Sequence, residues 1–526
     1  MLKGSRLAPA LMVQGTASSA GKSLLVTALC RLFRQDGLRV LPFKAQNMAL
    51  NSAVTSDGGE IGRAQAVQAE AAGVPSLIDM NPVLLKPEGD SRSQVIVRGQ
   101  SIGSMSAVDY HAKKPELRQL IRDSLARLRQ DCDLLVIEGA GSPAEINLKD
   151  RDIVNMSVAH DADAKVLLVG DIDRGGVFAS FVGTMELLDP DERARIGAFV
   201  INKFRGDVAL LRPGLDMLTA RTNVPVLGVM PYLRGLRIAD EDSLSLDDKP
   251  RGPRGPLSRA IDIAVVRLPR MANYDDFDPL AAEENALLRF VERPEDLEPA
   301  DLVILPGSKS TLHDLAWLRE SGFAAKITAR AERGEPIVGV CGGCQMLGLS
   351  VEDPLHVESN VDGSEGLGLL PIRTRFEPKK LTAQVTAHPG AMSFLANDPA
   401  DAAGTTPAAF LSGYEIHMGM VSHESSAVPA FRITLRNGTA CDARDGGVSR
   451  DGNVVGTLIH GIFENASVRR SLFAHLAARK GLTPLSRVRQ IPSRDESYDR
   501  LAAAAREHLD ASLLRRLAGL HERTRA

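Results

Sequence analysis

Aromatic residues are scarce. One Trp, five Tyr and 15 Phe make up 4% of the 526 residues. A protein that stacks bases or sugars on aromatic platforms is therefore not expected. Cysteine is scarcer still: five residues are too few for a disulfide framework. They point to a reducing compartment, where a thiol is catalytic or buried. No sign of charge dominates, because 63 Lys+Arg against 66 Asp+Glu leave −3. Without a global basic field, general binding to nucleic acid or to an anionic membrane is not expected. No uninterrupted apolar run reaches 18 residues, so no membrane span is expected. The N-terminal run MLKGSRLAPALMVQGTASSAGKS has no small-residue cleavage site before a Gly-rich loop and does not read as a signal peptide. A cytoplasmic protein is the expectation. Apolar residues at 44% and charged residues at 25% exclude extended disorder, coiled coil and collagen. The length suggests two to four domains.

What is present is a double α/β pattern. From Leu7 to about Arg237, the apolar runs APALMVQG, LRVLPFK, CDLLVIEG, AKVLLVGD, IGAFVINK and NVPVLGVM alternate with helical patterns. Continuous apolar strands separated by helices signal a parallel sheet covered on both faces. Its binding residues should lie just past the strand C-termini. Residues 241–259, charged and rich in Pro and Gly, read as a linker. A second α/β run follows in AIDIAVVRL, DLVILPG, EPIVGVCGG, RITLRNG and NVVGTLIHG. The expected division is 1–240 and 260–465, with a helical tail over 466–526.

The segment Gly15-Thr16-Ala17-Ser18-Ser19-Ala20-Gly21-Lys22-Ser23 follows a strand and opens a helix. Backbone N–H groups there can turn around phosphate oxygens, Lys22 supplies charge, and the Ser23 hydroxyl can ligate Mg2+. Five residues, not the usual four, separate Gly15 from the Gly21-Lys22 pair, so this is a variant loop. Glu138 ends the strand LLVIE, where a carboxylate can hold Mg2+ directly or through water. Asn202 ends AFVIN, where an amide can read a base edge. Lys44, at the end of another strand, can meet a transferred phosphoryl group or a substrate carboxylate. The polar stretches 43–65 and 79–99 carry more functionality than turns need, which suits substrate contact.

In the second half, Gly339-Val340-Cys341-Gly342-Gly343 lies between a strand and a helix and reads as a nucleophile elbow with a thiol. Gly342 can offer one oxyanion-hole N–H, and the loop Leu305-Pro306-Gly307-Ser308-Lys309 another, from Gly307 or Ser308. The general base should be a His at another strand end. His460, in GTLIHGIF, is favoured over His417, which suits a substrate or interface role better. Cys341-x-x-Cys344 as a redox pair is the rival reading of the thiol.

These motifs carry a resemblance. The Cys341 elbow with PGSKST and GTLIHGIF resembles a class I (triad-type) glutamine amidotransferase. The variant loop with VIEGAG is similar to dethiobiotin synthetase and its relatives. With FKAQNMALNS, DGGEIGRAQAVQA, MNPVLLKPEGD, DIDRGGVFAS, INKFRGD and GYEIHMG in this order, the chain resembles the cobyric acid synthase family from about residue 10 to 465. The resemblance implies a P-loop NTPase-like, dethiobiotin-synthetase-like parallel-sheet domain followed by an amidotransferase α/β domain. It implies ATP as co-substrate with Mg2+, L-glutamine as nitrogen donor and a corrinoid polycarboxylate as acceptor. The b, d, e and g carboxylates of adenosylcobyrinic acid a,c-diamide would be amidated through acyl phosphates. It further implies that Gly15, Thr16, Gly21, Lys22, Ser23 and Asn202 bind ATP, and that Ser23, Glu138 and Asp57 place the metal. Lys44 and Asp57 would then serve phosphoryl transfer, Cys341 and His460 catalysis, and Gly307 and Gly342 the oxyanion. Many triad-type glutaminases carry an acid two residues after the His; here Ile462 stands there, so the third member is unassigned. Cobyrinic acid a,c-diamide synthase and a nucleotide-switched scaffold with a dead glutaminase-like domain are the alternatives. Oligomeric state is not legible.

Overall fold

The computed structural model describes residues 7–88, 92–236, 238, 260–283, 285–390, 392–396, 410–482 and 494–520. The linker reading of 241–259 lies outside the described residues. The chain forms two compact units. One comprises Met1–Met48, Ile61–Ala239 and Pro492–Ala526; the other comprises Ala49–Glu60 and Asp240–Ile491.

All six apolar runs of the first half become strands of one sheet: β1 (Ala10–Gly15), β2 (Val40–Phe43), β3 (Leu134–Glu138), β4 (Lys165–Asp171), β5 (Ile196–Phe204) and β6 (Val226–Pro231). Their order is β6-β5-β4-β1-β3-β2, and every pairing is parallel. Side chains alternate across a strand, so neighbouring residues of β1 enter different cores. Leu11 and Val13 pack with α1 (Lys22–Gln35), while Met12 packs with α2 (Ala107–Gln130). Both faces are thus covered, which is why the strands carry no polar alternation. The central β1 has β3 on one side and β4 on the other, so the loop after β1 opens where the strand order diverges, the usual ligand crevice of such sheets.

Two features depart from the expected organisation. The polar stretch after Lys44 is built into strands: Gln46–Met48, Val83–Pro87, Arg92–Val97 and Gln100–Ser106 form a four-stranded sheet. The tail divides. Ala466–Arg479 packs in the second unit, whereas α4 (Arg494–His508) and the helix Ala511–Leu517 complete the core beneath α1. Arg31 on α1 pairs with Asp495 and Asp499 of α4 at 2.8 and 2.7 Å.

The second unit has its own core. Its main sheet contains β7 (Ile261–Val266), β8 (Ala286–Val291), β9 (Leu302–Leu305), β10 (Ile337–Val340), β11 (Gly447–Val448) and β12 (Val454–Thr457). The order is β8-β7-β9-β10-β12-β11, parallel except for the edge strand β11. RITLRNG joins a separate antiparallel sheet in which Leu411–His417 pairs with the short strand Ile459–His460. Among the described residues, no helix is long and apolar enough to cross a membrane.

Candidate active sites

In the first unit, β1 delivers the chain into the Gly-rich loop and α1 begins at Lys22 with Gly21 as its cap. Gly21 has φ +93°, and a β-carbon there would stand 2.1 Å from Asn202 Nδ2. A left-handed turn with no room for a side chain accepts Gly alone. Thr16 N–H is anchored to the Val169 carbonyl at 2.9 Å. Lys22 Nζ donates to the carbonyls of Ala17, Ser18 and Gly141 at 3.0, 3.1 and 2.9 Å, so its charge is aimed into the loop. Asn202 Nδ2 donates to the Ala20 carbonyl at 3.0 Å, which sets it beside the loop.

Glu138 gathers the remaining groups. One of its oxygens accepts from Ser23 Oγ at 2.9 Å and from Lys44 Nζ at 2.8 Å, and the other accepts from Gln68 Nε2. Glu138 is 1% exposed, a buried carboxylate that needs such partners. Ser23 and Glu138 thus present a hydroxyl and a carboxylate oxygen together beside the phosphate loop. Hard divalent cations take oxygen ligands of this kind, so the residues present fit Mg2+. Gln68, on the helix Arg63–Ala72, is a member that sequence reasoning did not single out. Asp57 is not part of this unit. It lies exposed at the turn of the Ala49–Glu60 segment, in the second unit.

In the second unit, Cys341 stands between β10 and α3 (Gly342–Leu347) with φ 50° and ψ −111°. Such a conformation costs a non-Gly residue about 1–3 kcal/mol and persists where the surroundings hold it. Its N–H is held by the Thr457 carbonyl at 2.8 Å. Gly342 opens α3, so its N–H has no acceptor within the helix. The Gly307 loop approaches closely: a β-carbon on Gly307 would lie 3.4 Å from His460 Cε1 and 3.7 Å from Cys341 Cβ. Asp314 fixes that loop by accepting from Ser308 Oγ at 2.6 Å and from Arg270 N–H at 3.3 Å.

His460 lies within electrostatic reach of Cys341 on one side. On the other, its Nδ1 lies 2.6 Å from Asp276 Oδ2. The second Asp276 oxygen accepts from Gly461 N–H at 2.9 Å. Burial opposes a charged ring, yet the Asp276 carboxylate and then Cys341 push the His460 pKa up to about 10. The Tyr414 ring stacks on His460, centroids 5.2 Å apart and planes 14° from parallel. Asp276 is the orienting acid that the sequence left unassigned. It sits in the 3-10 turn Tyr274–Phe277, between Asp275 and Asp278. No spacing relates it to His460, and the acidic cluster YDDFD was the one available hint.

His417 is turned elsewhere: its Nδ1 donates to the Gly419 carbonyl at 3.2 Å, and its Nε2 lies 3.7 Å from Glu415. Cys344 is fully buried, and desolvation, followed by Asp445 and Cys341, raises its thiol pKa well above the ordinary value. A thiol in that setting is inert, which disfavours the redox pair.

A phosphate-loop unit and a Cys-His-Asp unit of this design define a nucleotide-binding protein with a glutamine amidotransferase domain. Residues 11–246 match the CobQ/CobB/MinD/ParA nucleotide binding domain, and residues 262–468 match the CobB/CobQ-like glutamine amidotransferase domain. Cobyric acid synthase of Sorangium cellulosum is 62% identical, over 98% of this chain and 99% of its own. Those of Dehalococcoides mccartyi and Yersinia enterocolitica are 51% and 48% identical, over 96% and 98% of this chain and 97% and 99% of theirs. The chain belongs to the cobyric acid synthase family.

Proposed function

We propose that the chain amidates the b, d, e and g carboxylates of adenosylcobyrinic acid a,c-diamide, with ATP and glutamine, to give adenosylcobyric acid. The observation that carries this reading is the Cys341–His460–Asp276 arrangement in a chain that aligns end to end with cobyric acid synthases. ATP, glutamine and a soluble corrinoid suit a cytoplasmic enzyme.

Cys341 Sγ attacks the side-chain amide carbon of glutamine, and the carbonyl electrons move to oxygen. N–H groups of Gly342 and of the Gly307 loop receive that oxyanion. His460 gives its proton to the amide nitrogen, the C–N bond breaks and ammonia leaves. Asp276 keeps the ring oriented with Nδ1 protonated, so that Nε2 handles the proton. Water, deprotonated by His460, then cleaves the thioester and releases glutamate.

In the first unit, a corrin carboxylate oxygen attacks the γ-phosphorus of ATP and ADP departs. Ammonia attacks the resulting acyl phosphate, phosphate leaves, and an amide remains. The detour is needed because a carboxylate has no good leaving group, whereas phosphate is one. Lys22 and the loop amides hold the phosphates, Lys44 meets the transferring group, and Asn202 faces the base. Ser23 and Glu138 would hold Mg2+, which when bound neutralises phosphate charge.

Product mass after incubation with ATP, glutamine and the corrinoid diamide tests the reading. Gain of four amides supports it. Turnover of cobyrinic acid but not of its a,c-diamide would assign the sister reaction instead.

A further inference from the structure

The Ala49–Glu60 segment leaves the first unit after Met48 and is built into the second. It forms a two-stranded hairpin from Ser52–Val54 and Glu60–Gly62, whose last residues return to the first unit. Its anchors are many. Glu60 pairs with Lys380 at 2.5 Å, with side chains 1% and 9% exposed. Thr382 Oγ1 donates to the Gly58 carbonyl at 2.8 Å, and Gln384 Nε2 to the Val54 carbonyl at 2.7 Å. Val54 packs with Tyr414 and Ile416 in a small apolar cluster. Tyr414 is the ring stacked on His460, and the Ile416 carbonyl lies 3.7 Å from Cys341 Sγ.

One contact is chemically directional. Ser52 N–H, fully buried, donates to Asn273 Oδ1 at 3.0 Å. A buried N–H needs an acceptor, so it forces the oxygen of the Asn273 amide to face the hairpin. The NH2 end is then left 3.5 Å from His460 Nε2. With the amide reversed, an oxygen would stand there and accept the Nε2 proton. That would compete with Cys341 for the imidazole and withhold the proton that the leaving ammonia needs.

Resting on the glutaminase reading above, we infer that the Ala49–Glu60 hairpin is a positioning element of the amidotransferase centre. Through Ser52 N–H it fixes the Asn273 amide in the orientation that presents a donor, and not a competing acceptor, to His460 Nε2. Asn273 acts through His460 and is a positioning residue. Glutaminase competence therefore depends on a segment that the sequence places inside the nucleotide-binding half.

The full-length protein carrying Asn273→Asp or Asn273→Ala tests this, with glutamate release and ammonium-supported amidation both measured. A carboxylate satisfies Ser52 N–H and also presents an oxygen to His460, so Asn273→Asp reproduces the reversed amide. Its glutaminase kcat should fall roughly 10–100-fold, below that of Asn273→Ala, with KM little changed. Ammonium-supported amidation should persist in both. A purely structural role predicts the opposite order, because Asn273 has φ 51°, which Asp tolerates better than Ala. Asn273→Asp as active as Asn273→Ala, or more so, overturns the inference. The double variant Thr382→Val, Gln384→Ala loosens the hairpin away from the centre and should slow glutamate release more than ammonium-supported amidation. Equal slowing of both would also count against it. Cys341→Ala serves as the control: if it retained glutamine-dependent amidation, the glutaminase reading itself would fail.

Discussion

Asp276 Oδ2 and His460 Nδ1 are 2.6 Å apart across 184 residues of chain. The contact decides the tautomer and charge of the histidine beside Cys341. Because the same carboxylate also binds Gly461 N–H, it fixes both the ring and the backbone that carries it. Asp276→Asn should keep the geometry and lose the charge. Glutamine-dependent amidation should fall by roughly 10²–10⁴-fold, while ammonium-supported amidation persists. Parallel assays with the two nitrogen donors check this.

A pH signature follows from the same pair. The folded pKa of His460 is raised from 6.5 to about 10, with burial opposing and Asp276 and Cys341 driving the rise. A raised pKa contributes stability that is fully present below pH 6.5 and lost as pH climbs towards about 10. The wild-type melting temperature should therefore decline across that window by more than that of Asp276→Asn. Thermal unfolding from pH 6 to 10 measures the difference.

Cys341 and Cys344 should differ in reactivity. Both are buried, but the desolvated Cys344 thiol is held well above its ordinary pKa, whereas Cys341 faces an imidazole. A glutamine-like electrophile should label Cys341 in the folded protein and leave Cys344 unmodified, as peptide mass mapping would reveal. Cys341→Ser should abolish labelling and glutamine-dependent amidation together.

In the nucleotide unit, Glu138→Gln leaves the Lys44 ammonium buried without that carboxylate. Loss of one partner of such a pair costs about 3–5 kcal/mol. Denaturant unfolding should show the cost. ATP-dependent amidation should be lost with either nitrogen source, and glutamate release retained.

Gly21→Ala meets two obstacles, φ +93° and a β-carbon 2.1 Å from Asn202 Nδ2. ATP affinity, measured by calorimetry, should drop by at least tenfold, about 1.4 kcal/mol, with glutaminase unaffected.

Local signals carried much of this protein. The apolar runs APALMVQG, CDLLVIEG and EPIVGVCGG suffice for buried parallel strands, because a strand covered on both faces needs no polar alternation. The stretch before Lys22 ends in Gly21 at φ +93°, which favours Gly, and the glycines around Cys341 mark a tight strand-to-helix turn, where a β-carbon on Gly343 would meet the Leu305 carbonyl at 2.0 Å. Gly15 to Ser23, Glu138, Asn202, Cys341 and His460 stand out in the sequence for that reason: each sits at or beside a strand end that its own neighbours announce. What the tertiary structure decided was partnership. Asp276 reaches His460, the Ala49–Glu60 hairpin joins the second unit, Asp57 goes with it, and α4 seals the first unit beneath α1. These depend on which surfaces meet in space. A carboxylate 184 residues from its histidine leaves no period or spacing in the chain, because hydrogen bonds and packing act over ångströms and are indifferent to distance along the sequence.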